Sequence, residues 1–383
     1  MVRRGYRQRL NYFLSMETTV TSKDKNYFIE LLRFVFCFIL VLHHSPFKCP
    51  SGAPAYWGAP VFFKYGAICV EFFYMLTGYF SIKHIEDHRD SVMGMTDTTK
   101  YTVKKLIRLL PYTTIAIIGS YLLEFFTKND LSLVDRLKIF QNLPSELLVM
   151  PMTGQIEISF ASYRCAHLWF LSCMLIALPV VMYLSVKCND LFKGYLVWFL
   201  PFMLLGYMRF RWEDCIFAWG SYGYFLYGGI IRAFADIMLG GAVYYTVRAI
   251  KAKGFIPGRL LRWIFSLCEI MLLAFIIFSC NRIELPAYDQ IFVIMMIWIM
   301  LVITLSDISY SGVVFSGPLS FIWSFLGKIS VPVYCIHWTV FRYMVNGLFA
   351  EFGYWLKICI NICICIMIYL VVSRITRRLK QSQ

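Results

Sequence analysis

The sequence predicts an all-α polytopic membrane protein of about ten transmembrane helices, with both termini cytoplasmic, and three observations carry this reading. Of its 383 residues, 59% are hydrophobic, 18% aromatic and only 15% charged, with a mean hydropathy of +0.64. Soluble domains run at roughly 45–50% apolar and about 25% charged, and a chain this long cannot hide the excess, because larger chains divide into domains that each need polar surface. Apolar runs recur at the length of about 20 helical residues that spans a bilayer. Basic residues, finally, concentrate in alternate connecting segments, as the positive-inside tendency requires. Together these exclude a cytosolic enzyme, a disordered protein and a nucleic-acid binder, despite a formal net charge of +15.

The runs lie near 27–45, 60–82, 106–126, 166–186, 191–208, 224–247, 262–280, 288–306, 319–341 and 354–373. Arg232 falls inside the sixth, so that helix is expected to start in earnest around Ile230, and Lys328 and Pro332 interrupt the ninth. With the N-terminus in the cytoplasm, 24 of the 37 Lys and Arg residues fall inside, including the segments before the first and third helices and the basic tail after the tenth. Residues 1–26 are read as a cytoplasmic segment, 27–373 as the transmembrane domain and 374–383 as a short cytoplasmic tail. The first run lacks a small-residue cleavage site and reads as a retained helix. The largest loop, 127–164, is expected outside, with turns at Pro144–Glu146 and Pro151–Gly154. Thirteen scattered cysteines, without CxxC or regular spacing, predict neither a disulfide framework nor a zinc site.

An ionisable group inside a span is costly and points to function. In the first helix, YFIELLRFVFCFILVLHHS, Arg33 and His44 lie eleven residues apart, about 20° around the helix and roughly 16 Å along it. Glu30 precedes Arg33 by three residues and pairs with it on that face, giving a polar stripe from the inner end to the outer mouth. His43 points roughly 100° away, so the two adjacent histidines cannot chelate one metal. In the second helix Glu71 sits mid-run and needs a partner, most naturally an Arg on a neighbouring helix, while Gly78 permits close helix approach. Lys104, Lys105 and Arg108, at i, i+3 and i+4 spacing, converge on one polyanion, a pattern that suits either a diphosphate or an ordinary basic anchor. His167 and Trp169 stand at the mouth of the fourth helix. Arg232 and Asp236 form an i, i+4 pair in the sixth. Ser330, Tyr334 and His337 fall within about 60° on the ninth, a second polar stripe.

Five of these patches, in order, resemble the acyltransferase 3 family of integral-membrane acyltransferases. Glu30, Arg33 and His44 resemble its (D/E)xxR with a following His; VEFFYMLTGYF is similar to its VDxFFxxSGF-like stretch; KKLIRLLP resembles its RxxR motif. HLWFL and GKISVPVYCIHW resemble its fourth- and ninth-helix signatures. Lys105 replaces the first Arg of RxxR and keeps charge but not the bidentate fork. Glu71 replaces Asp, and Thr77 and Tyr79 replace Ser and Phe. The resemblance implies transfer of an acyl group, usually acetyl, from cytoplasmic acyl-CoA to a carbohydrate hydroxyl across the membrane. Lys104, Lys105 and Arg108 would then hold the CoA head group, and Arg33 and Glu71 would line a channel for its arm. His44 would serve as general base, with the acceptor near His44, His167, Trp169, Ser330, Tyr334 and His337. It implies no metal and no nucleic-acid partner, a membrane-lipid environment, and by default a bacterial inner membrane. A glycan transporter or flippase is the rival reading; transporters usually show repeated halves with matching broken helices, and this sequence has no such repeat. The sequence specifies neither the acceptor nor the oligomeric state.

Overall fold

The structure, a computed structural model, describes residues 25–45, 55–56, 59–60, 62–89, 94–128, 132–149, 163–212, 222–223, 226–282, 284–345 and 351–381. The expected turn at Pro151–Gly154 lies outside the described residues. Among the described residues, ten long helices follow in chain order: α1 Tyr27–His43, α2 Cys69–Asp87, α3 Met95–Thr127, α4 Trp169–Lys187, α5 Val197–Arg211, α6 Gly228–Ala252, α7 Arg259–Cys280, α8 Ala287–Leu305, α9 Ser320–Thr339 and α10 Tyr354–Gln381. Each overlaps one apolar run of the sequence. Seven helical segments, those built on α3 to α8 and on α10, are long and apolar enough to cross a membrane. The other three are marked by composition: α1 has 17 residues, α2 ends in the charged turn around Glu86 and Asp87, and α9 holds Lys328 and Pro332. Among the described residues, strand structure is confined to two pairs of two-residue strands.

Local chemistry sets the helix ends. The Asn26 side chain caps α1 by accepting the Ile29 amide at 3.1 Å, and its own amide reaches the Thr304 carbonyl at 3.1 Å. The second apolar run becomes α-helical only at Cys69, after a short 3₁₀ turn at Gly66–Ile68. The chain is pinned there: the Tyr65 amide bonds the Cys280 carbonyl at 2.9 Å, the Phe63 amide bonds Asn281 Oδ1 at 3.0 Å, and a Cβ on Gly66 would stand 2.7 Å from the Cβ of His43. In contrast, α3 starts eleven residues before its apolar stretch, so Lys104, Lys105 and Arg108 ride on a continuous helix.

Two close helix pairs organise the bundle. At the crossing of α2 and α6, Gly78 and Gly240 face each other, and a Cβ on either would overlap the opposing backbone carbonyl, of Ile237 or Met75. At the pairing of α1 and α9, Gly327 lies against Glu30, and the Cys37 thiol donates to the Ser330 carbonyl at 2.9 Å. Around these, Leu32, Phe36, Phe72, Met75, Val181, Val243 and Ile297 fill one continuous core. By contrast α7 presents Leu260, Trp263, Leu267, Ile270, Met271 and Phe278 outward, the surface expected where lipid is the solvent.

At the end of the bundle where α2 finishes and α6 finishes, Glu86 ties three segments together. It accepts from Arg248 Nη1 at 2.7 Å, Tyr245 Oη at 3.2 Å, Lys193 Nζ at 3.2 Å and also Arg89. Burial pushes this carboxyl up, yet Arg89 and Lys193 hold it below the ordinary carboxylate range.

Candidate active site

At the far end of α1 the chain gathers three histidines from three segments. His44 follows α1 directly, its amide completing the helix on Leu40 O at 3.0 Å. His337 projects from α9, and His167 from the 3₁₀ turn Ala166–Leu168 that opens α4. The His44 and His337 rings stack at 5.2 Å, the His167 and His337 rings meet edge to face at 5.1 Å, and Trp338 closes on both His44 (5.4 Å) and His167 (5.5 Å). His337 and His167 are buried, whereas His44 is partly exposed.

Hydrogen bonds fix which nitrogen of each ring carries a proton. His337 Nδ1 faces the Tyr334 carbonyl at 2.6 Å and must donate to it. In the neutral ring its Nε2 is then a lone pair, and it meets His44 Nδ1 at 3.1 Å. His44 therefore donates through Nδ1 and keeps its lone pair on Nε2. Likewise His167 Nε2 donates to the Cys335 carbonyl at 3.1 Å, which leaves the lone pair on Nδ1, a buried atom without a hydrogen-bond partner among the described residues.

The framework holding the rings is itself pinned. Tyr334 Oη donates to the His167 carbonyl at 2.5 Å, Asn361 on α10 donates to the His337 carbonyl at 3.0 Å, and Thr339 bonds Ser120 Oγ (2.7 Å) and the Ala116 carbonyl (2.9 Å) on α3. Ser330 is turned away from the rings: its hydroxyl bonds the Gly327 carbonyl of its own helix at 2.8 Å. His43 is buried and bonds the Phe63 carbonyl at 2.9 Å through Nδ1, so it braces the segment before α2.

Arg33 and Glu30 pair at 3.4 Å, one helix length from His44, and Lys25 approaches the same carboxylate at 3.8 Å. Glu71 is fully buried, and the neighbouring Arg is Arg232 of α6, whose Nε donates to Glu71 Oε1 at 2.8 Å and whose Nη2 bonds the same oxygen. Asp236 lies beside that pair, and the guanidinium sits 5.2 Å from the Trp169 ring. Trp169 is thus engaged with the ion pair, two residues beyond His167. From the sequence, Arg232 looked like a partner for Asp236 alone; the α2–α6 crossing is what delivers it to Glu71.

The basic cluster lies at the other end. Arg108 is exposed and Lys104 and Lys105 partly so. Lys105 Nζ stands 5.3 Å from the Tyr101 ring, on which His84 stacks at 4.7 Å, with His88 a further 4.6 Å away. Burial, then His88 and the Lys104 and Lys105 cations, hold the His84 imidazole below the ordinary histidine range. His84 and His88 escaped the sequence reading; their i, i+4 spacing at the end of α2 was the available signal. Because Thr339 fastens to Ala116 and Ser120, the histidine cluster stands level with that part of α3, about 12–18 Å along the helix from Arg108 and about 18–24 Å from Lys104.

Among the described residues, no group of three or more His, Cys, Asp or Glu side chains is arranged to hold a metal ion. Comparison with known proteins finds no match among curated proteins or solved structures. The sequence profile of the acyltransferase 3 family, described as an acyltransferase domain, matches residues 26–374, nearly the whole chain, from before α1 to well within α10. The chain belongs to the acyltransferase 3 family and is a multi-pass membrane acyltransferase.

Proposed function

We propose that the protein moves an acyl group, acetyl in the first instance, from cytoplasmic acyl-CoA to a hydroxyl of an extracytoplasmic or lipid-linked carbohydrate in a bacterial inner membrane. The observation that carries this reading is the tautomer of His44: Nδ1 is committed to His337, and Nε2 is left as a lone pair on a partly exposed ring. An acceptor hydroxyl attacking a thioester carbonyl must lose its proton, and a positioned imidazole suits that role. The unpartnered Nδ1 of His167 supports an acceptor with several hydroxyls, since a second O–H would satisfy it.

The donor side follows from charge. Lys104, Lys105 and Arg108 on the cytoplasmic end would hold the CoA phosphates, with Tyr101 and His84 as a neighbouring aromatic platform. Arg33, steadied by Glu30, would orient the arm on its way to His44. The buried Glu71–Arg232 pair, flanked by Asp236 and Trp169, supports the wall of the passage by locking α2 to α6.

The test is transfer of radiolabelled acetyl from acetyl-CoA in membranes containing the protein. His44→Ala and Arg33→Ala should each abolish transfer while the protein still reaches the membrane at the wild-type level. Full activity in the His44 variant would remove His44 from the chemistry.

A further inference from the structure

The histidine cluster is rich in lone pairs and poor in donors. His44 Nε2 and His167 Nδ1 are acceptors in the neutral rings, His337 is occupied at both nitrogens, and the Tyr334 hydroxyl is given to the His167 carbonyl. Acyl transfer puts its developing negative charge on the carbonyl oxygen, which needs a preorganised donor. One donor in the cluster is uncommitted. The indole N–H of Trp338 is buried and has no hydrogen-bond partner among the described residues. Leaving such a group unsatisfied is costly, and native structures tolerate few of them. The ring itself is part of the site: it stands edge-on to His44 at 84° and lies nearly parallel to His167 at 18°.

We propose that Trp338 is a catalytic residue of the acyl transfer, its indole N–H donating to the carbonyl oxygen of the acyl donor as that carbon becomes tetrahedral. This rests on the acyl-CoA reading above. In the step, the acceptor oxygen bonds to the carbonyl carbon and gives its proton to His44 Nε2. The carbonyl π pair moves onto the oxygen held by Trp338. The pair then returns, the carbon–sulfur bond breaks, and the departing thiolate of CoA takes the proton from His44. An ester and free CoA thiol result. An indole suits the post because it is a donor only and does not titrate.

Two variants test this, Trp338→Phe and the substitution of Trp338 by its benzothiophene analogue, which keeps the ring's size and replaces N–H by sulfur. Release of CoA thiol from acetyl-CoA is followed in membranes containing the protein. Both variants should lower kcat about 10²–10³-fold with little change in KM for acetyl-CoA, and the benzothiophene variant should match or exceed the wild type in thermal stability, since it keeps the ring and loses only an unsatisfied donor. Wild-type kcat in the benzothiophene variant would overturn the proposal, even if the Phe variant is impaired through packing. If the wild-type protein itself releases no thiol from acetyl-CoA while His44→Ala and wild type behave alike, the acyl-CoA reading fails and this proposal falls with it.

Discussion

The placement of the proton on the His44 ring is set by a residue 293 positions away. Spacing along α1 places Arg33, Glu30 and His44 on one face, and that much is legible because a helix has a fixed period. Which nitrogen of His44 holds the lone pair is not legible, since it depends on α9 bringing the Nε2 of His337 to His44 and on the Tyr334 carbonyl fixing the His337 proton. The same holds for Trp338, which in sequence is one more aromatic beside a histidine, and for Ser330, whose stripe position suggests the site while its hydroxyl turns back to Gly327. Through its hydrogen bond to His44, His337 would act as a positioning residue. His337→Leu should lower kcat by about 10²–10⁴-fold, the range of losing an oriented base. His337→Gln, whose side-chain oxygen can accept the His44 Nδ1 proton, should recover much of that loss and the wild-type pH–rate profile. Equal loss in both variants would mean that His337 serves only packing.

Among the elements, the helices were readable because hydrophobic length is a property of the chain alone: each apolar run overlaps a helix among the described residues, and seven of these are long and apolar enough to cross a membrane. Pairing was not readable: Gly78 announces close approach, but Gly240 is one of many glycines until the fold sets them face to face. Gly78→Ala should cost at least about 2 kcal/mol, as overpacking against backbone does, and should lower the Tm measured in detergent. A stable Gly78→Ala protein would show that the crossing relaxes freely. Glu146 is the other element-scale surprise, because a residue expected in a surface turn is buried in the short helix Leu143–Leu147. It accepts from Tyr121 Oη at 3.2 Å and from the amides of Arg164 and Cys165, and so seats this segment on α3 and the approach to His167. Burial pushes its carboxyl up to about 7, against the opposing pull of those donors. A raised pKa means that the stabilisation is fully present below the ordinary carboxylate range and is lost as pH rises through about 7. Hydrogen exchange, corrected for its intrinsic pH dependence, should therefore show protection of residues 143–149 falling between about pH 5 and pH 8. Glu146→Gln should remove that dependence, and an unchanged dependence would assign it elsewhere.

At the scale of the whole molecule, the net charge of +15 divides into parts with different work. Much of it lies in segments that the positive-inside tendency assigns to one side; Lys193, Arg248 and Arg89 converge on Glu86 at one end of the bundle, and Lys104, Lys105 and Arg108 stand in the first half of α3. The histidine cluster occupies the opposite end, one length of α1 from the Arg33–Glu30 pair. The central claim is that an acyl group enters at the basic end and leaves on an acceptor at His44. Sealed, inside-out membrane vesicles containing the protein test this most directly, with radiolabelled acetyl-CoA supplied only to the outward-turned cytoplasmic face. Label should appear in the glycan or lipid-linked saccharide fraction of the vesicle interior with the wild-type protein and not with His44→Ala. Equal labelling by the His44→Ala protein, or labelling by the wild type only when acetyl-CoA is sealed inside, would contradict that claim.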